Sequence, residues 1–262
     1  MAQPALRGAE AEAFLAHGEI ELIGRMPWSS NATFLVEVCA TSANTGQTGD
    51  DTGQTGRTGE ADAIESRTVR AVYKPRRGER PLWDFPNGLC QREVAAYELS
   101  QVLGWDLVPP TVMVDGPLGV GSVQLFIDAD FTQHYFTLYE HERNHPQLQA
   151  ICAFDIAANN TDRKSGHCLI DSDRHIWGID NGLSFHVEPK LRTVIWEFGG
   201  EEVPNGLARD LRALSERELT GPLAELLDPF ERDAVRTRAS ALAQRGVFPV
   251  DHTGRRFPWP LV

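Results

Sequence analysis

The sequence predicts an α+β fold, with antiparallel strands gathered in its first half and helices in its second. Three observations predict it. Short runs of β-favouring residues, several with apolar and polar residues in alternation, recur between residues 19 and 127, the pattern of half-buried strands. Three consecutive stretches from 205 to 245 instead carry apolar residues at helical spacing. And 262 residues with 41% hydrophobic composition suffice for a real core, in one large domain or two lobes.

In chain order, Ala, Glu and Leu make residues 8–16 a short helix ending near His17 and Gly18. Residues 19–24 and 33–38 are two strands. The loop between them holds Ser29, Ser30 and Asn31, which offer hydroxyl, amide and backbone donors to anionic oxygens. It lacks a glycine-rich pattern, so an ordinary hairpin loop is the competing account. From 41 to 66 the chain becomes Gly- and Thr-rich and repeats Thr-Gly-Gln-Thr-Gly at Thr45 and Thr52. Such a stretch cannot form a core, so a flexible insertion linking two strands is expected, and one whose removal is tolerated. Residues 68–74 are the next strand and end on Lys74, which opens a basic group with Arg76, Arg77 and Arg80, either a solvated turn or a phosphate-facing one. A helix over 91–103 stops at Gly104. Glu93 in its first turn can pair with Lys74, with Glu98 as the competing partner. Strands follow at 111–114 and 120–127. His134, His141 and His145 do not form an HExxH motif and read as solvated helix histidines. A helix over 146–158 starts with Pro at an allowed first-turn position and carries Asp155, placed to orient the loop that follows. Helices at 205–214, 215–227 and 229–245 close the chain, and the Pro- and aromatic-rich tail 248–262 is expected to pack back on them.

The chemistry concentrates between residues 157 and 185. Residues 168–171 and 175–179 read as a hairpin around the tight turn 172–174. Asp162 lies before its first strand and Asp180 after its second, so antiparallel pairing brings both carboxylates to one end. With His167 they form a candidate site for a hard cation. Magnesium takes few protein oxygens and fills its octahedron with water and substrate phosphates. Taken singly, each of these segments is an ordinary polar turn.

Asn160-Thr161-Asp162-Arg163 and Ile179-Asp180-Asn181-Gly182-Leu183 resemble the catalytic loop and metal-binding motif of the phosphatidylinositol 3- and 4-kinase superfamily, most nearly the type II 4-kinases. Most of the chain, including Phe257-Pro258-Trp259-Pro260-Leu261-Val262, resembles a family of small uncharacterised actinobacterial proteins with a kinase-like domain of this kind. The resemblance implies a reduced bilobal protein-kinase-like fold, with an N-terminal nucleotide-binding sheet lobe over 1–127 and a helical catalytic lobe over 128–262. It implies ATP with Mg2+, or Mn2+, as cofactors. Ser29, Ser30, Asn31 and Lys74 would face the phosphates, and Gln124, Leu125, Phe126 and Ile127 the adenine at a hinge. Glu93 would brace Lys74, Asp162 would orient or deprotonate the acceptor, Arg163 would support the loop, and His167 with Asp180 would bind the metal. Residues 186–193 take the activation-loop position, where Lys190 and Arg192 either meet the acceptor or belong to a plain exposed loop. The superfamily usually has Asn where His167 stands, and imidazole is the softer ligand.

The expected function is therefore an ATP-dependent phosphotransferase acting on a protein or small-molecule acceptor. The alternatives are a phosphoinositide kinase and a nucleotide-binding pseudokinase with a regulatory role, for which His167 is the cue. A net charge of −12 argues against nucleic acid and against stable association with an anionic membrane. The absence of a long apolar run or signal-peptide pattern leads us to expect a cytoplasmic protein. Cys39, Cys90, Cys152 and Cys168 form no CxxC pair and predict neither a disulfide framework nor a zinc site.

Overall fold

The computed structural model describes residues 6–27, 29, 31–40 and 67–261. Ser30 and the insertion 41–66 lie outside the described residues. Helix α1 (Gly8–His17) precedes a five-stranded antiparallel sheet of β1 (Glu19–Arg25), β2 (Phe34–Ala40), β3 (Arg67–Pro75), β4 (Thr111–Gly116) and β5 (Gly119–Leu125), with α2 (Leu89–Leu103) between β3 and β4. The spatial order is β1-β2-β3-β5-β4. Strand period 2 sorts β3 cleanly: Ala71, Tyr73 and Pro75 are buried, while Lys74 sits on the opposite face. Ala71 and Tyr73 join Leu15, Val36, Val38 and Val123 in a core between α1 and the sheet.

A larger core fills the rest. It is built by α2 and by α3 (Tyr135–Tyr139), α4 (His145–Ala158), α5 (Asn205–Glu216), α6 (Pro222–Leu226) and α7 (Pro229–Arg245). Between α4 and α5 stands the hairpin of β6 (Cys168–Ile170) and β7 (Ile176–Gly178), paired Cys168 to Gly178 and Ile170 to Ile176. The expected helix over 215–227 is mostly absent: α5 continues through Glu216, Arg217 is extended, and Gly221 at φ 64 precedes the single turn of α6. A glycine in that left-handed region followed by proline starts a helix and cannot continue one. The tail does not form an element, but it reaches further than the helices, since Leu261 O accepts the Ser165 N–H at 2.8 Å. His145 stacks on Tyr139 and bonds its carbonyl, a packing role. All four cysteines are free thiols. Among the described residues no helix is long and apolar enough to cross a membrane.

Candidate active site

Lys74, at the end of β3, projects into a cleft of about 670 Å³ between the sheet and the β6–β7 hairpin. Two carboxylates hold it there. Its ammonium donates to Glu93 Oε1 from α2 and to Asp180 Oδ1 at 2.8 Å. Glu98 takes no part. The second oxygen of Glu93 accepts the Asn181 N–H at 2.9 Å, so one buried side chain fixes both the lysine and the segment that carries Asp180. Burial alone would lower the Lys74 pKa, but Asp180 and Glu93 more than offset it and hold the ammonium above its ordinary value. Lys74 in turn depresses Asp180 far below the usual carboxylate range. Asp180 adopts φ 58, a left-handed conformation that Asp tolerates better than most residues.

The hairpin sets the rest. Ile179 N–H donates to His167 O at 3.0 Å, which closes the open end of β6–β7 and places His167 Nε2 3.4 Å from Asp180 Oδ2. The Lys164 N–H faces His167 Nδ1 at 3.3 Å, which assigns the ring proton to Nε2, toward Asp180. Burial, opposed by Asp180, lowers the His167 pKa to about 4, so the ring is neutral at ordinary pH. Asp162 lines the same cleft, and burial raises its pKa against the pull of Lys164, whose ammonium lies 3.2 Å away. Behind the cleft Arg163 is fully buried. It donates to both oxygens of Asp155 at 3.1 Å, to Asn181 Oδ1 at 2.7 Å and to the Ile179 carbonyl, which ties the Asp162 loop to the Asp180 loop.

Ser29 and Asn31 also line the cleft, with Ser29 Oγ 2.7 Å from Thr33 Oγ1 and Asn31 Oδ1 accepting the Arg80 N–H at 2.9 Å. Gln124 does not reach it. It is buried, and its amide donates to Thr111 Oγ1 at 2.9 Å. Leu125, Phe126 and Ile127 line a second cavity, together with Arg70 and Trp177. Lys190 pairs with Asp84, and the Arg192 N–H donates to the Asn160 carbonyl, so both belong to a loop held by its own contacts, Arg192 beside the Asp162 segment. Two contributions were not among the site residues expected from the sequence. Lys164 was legible as a cation two residues after Asp162. Trp259 and Pro260 line the cleft because the tail, expected to pack back on the helices, continues to the Asp162 loop, a destination that no local signal announces.

Among the described residues no cluster of three or more His, Cys, Asp or Glu side chains has metal-holding geometry. Asp180 suits a divalent ion that draws its remaining ligands from water and phosphate. His167 can join through Nε2 once its ring proton moves to Nδ1, at the cost of the weak Lys164 contact.

No described family's sequence profile matches the chain. Protein Rv2133c of Mycobacterium tuberculosis is 35% identical over 96% of this chain and 95% of its own. A hydra Fam20 structure containing sugar aligns over 91% of this chain and 87% of its own, with a TM-score of 0.53 and 12% identity. The Helicobacter pylori proinflammatory kinase CtkA aligns over 89% and 94%, with a TM-score of 0.46 and 10% identity. The five-stranded antiparallel sheet with its helices is a kinase-like fold.

Proposed function

Since the chain belongs to the same family as Protein Rv2133c of Mycobacterium tuberculosis and has a kinase-like fold, we propose that it is an ATP-dependent phosphotransferase acting on a protein or small-molecule hydroxyl. One observation carries this reading: Lys74 joins Glu93 to Asp180 in a cleft that also holds Asp162 and His167. In this reading residues 1–127 and 128–262 are the two lobes, and the nucleotide phosphates lie under Ser29, Asn31 and Lys74. Leu125, Phe126 and Ile127, which line the second cavity, are the candidates to border the base, whereas Gln124 is bonded to Thr111 and takes no part. Asp162, with its raised pKa, accepts the acceptor's hydroxyl proton or orients that hydroxyl, and the neighbouring Lys164 ammonium compensates negative charge growing on the phosphoryl oxygens. Arg163 keeps the two loops in register. Asp180, joined by His167, would hold Mg2+ or Mn2+, which when bound supplies charge neutralisation at the phosphates. The motifs around Asp162 and Asp180 favour the phosphatidylinositol 3- and 4-kinase-like branch.

Calorimetric titration of ATP with and without Mg2+ tests this. Magnesium-dependent binding to the wild type that is lost in Asp180→Ala is expected. An absence of binding to the wild type would overturn the reading. A lipid acceptor has one specific observation in its favour, namely that Trp259 at the cleft and Trp83, three residues beyond Arg80, are 87% and 96% exposed, as interfacial tryptophans are. Co-sedimentation with phosphoinositide vesicles, lost in Trp83→Ala, would support it, and no sedimentation would exclude it.

A further inference from the structure

Glu93 is preceded on α2 by a residue with a separate set of contacts. Arg92 is 5% exposed, and its guanidinium donates to the Ser184 carbonyl at 2.8 Å, pairs with Glu231 of α7, and lies over the Phe85 ring at 5.0 Å from its centroid. Glu231 is held just as firmly. It is equally buried, and its other oxygen accepts the Asp228 N–H at 3.1 Å in the reciprocal cap that starts α7. Helix α7 also holds the end of α4 and the segment after Phe185, since Arg238 donates to Ala157 O of α4 at 2.9 Å and to His186 O at 3.2 Å. Successive residues of a helix project in different directions, so Arg92 and Glu93 fix the rotation of α2 about its axis from two sides. Desolvation of two buried charges cancels much of their attraction, which makes such a pair a poor source of stability and a good source of register.

We infer that Arg92 and Glu231 are positioning residues that clamp α2 to α7 and to the segment after Asp180, so that the Lys74–Glu93 pair is assembled in the resting chain without covalent modification or a partner protein. This rests on Lys74 being the phosphate-binding cation, but its test needs no catalysis. The chain has three lysines, each ion-paired, of which Lys74 and Lys164 line the cleft and Lys190 lies outside it, so amine chemistry reads the site directly. The experiment is acetylation of the intact folded protein with acetic anhydride, followed by mass spectrometry of the three sites. Two variants are compared with wild type: Arg92→Lys, which keeps the charge but loses the guanidinium fork, and Arg92→Met with Glu231→Leu, which replaces the pair by apolar side chains able to pack. The expected result is a several-fold rise in Lys74 labelling relative to Lys190 in both variants. A Lys74-to-Lys190 ratio unchanged in either variant, whether or not total labelling rises, overturns the clamp. Loss of ATP binding by the wild type would remove the functional reading and leave this ratio readable.

Discussion

Glu93 uses both carboxylate oxygens, His167 both ring nitrogens and Arg163 its whole guanidinium, so the site is a set of side chains with few free valences. His167 makes the most distinctive forecast. Its folded pKa of about 4 lies below the ordinary histidine value, so in the metal-free protein its contribution to stability is complete above roughly pH 6.5 and is lost as pH falls toward 4. The loss should amount to about 3 kcal/mol, and His167→Asn should remove that part of the pH dependence in denaturant melts. The same variant should shift ion preference from Mn2+ toward Mg2+ in ATP titrations, because an amide oxygen replaces an imidazole nitrogen. Lys74, Glu93, Asp162, His167 and Asp180 were legible in the sequence because a cation at a strand end and carboxylates flanking a hairpin are uncommon together. Gln124 was not, since strand alternation says which face a residue takes and not whether a neighbour such as Thr111 has claimed its amide.

Helix α2 meets the Asp180 segment closely enough that a side chain at Gly182 would crowd Glu93. A Cβ at Gly182 would stand 3.1 Å from Glu93 Oε1 and 3.4 Å from the Leu89 carbonyl. Gly182→Ala should therefore cost about 1 kcal/mol of stability through overpacking and weaken Mg-ATP binding by displacing Glu93, as read by thermal melting and calorimetry. A variant that melts and binds like wild type would show that α2 can yield. The sheet strands, α2, α4, α7 and the hairpin were all readable from period and boundary residues, because each carries its own apolar pattern and stop signal. The stretch after Glu216 was not: it is as rich in Leu and Glu as a helix, and only the backbone freedom of Gly221 before Pro222 breaks it.

The molecule holds two unequal apolar cores, a small one under the sheet and a large one among the helices. Their separation could be anticipated from the order of strands and helices, whereas the return of the tail to the cleft depends on contacts more than 90 residues apart in sequence, such as Leu261 with Ser165. A net charge of −12 on this frame implies self-repulsion, so added salt should stabilise it. The melting temperature should rise by a few degrees between low salt and ~0.15 M NaCl, and a fall would place the balance with the internal ion pairs. The cleft repeats this asymmetry on a small scale. Its walls present Lys74, Arg80 and Lys164 against Glu79, Glu93, Asp162 and Asp180, with His167 neutral. A bare polyphosphate therefore approaches a surface of its own sign, and one divalent counterion reverses that sign. The protein would thus discriminate between a naked nucleotide and its ion complex before any contact with the base is made.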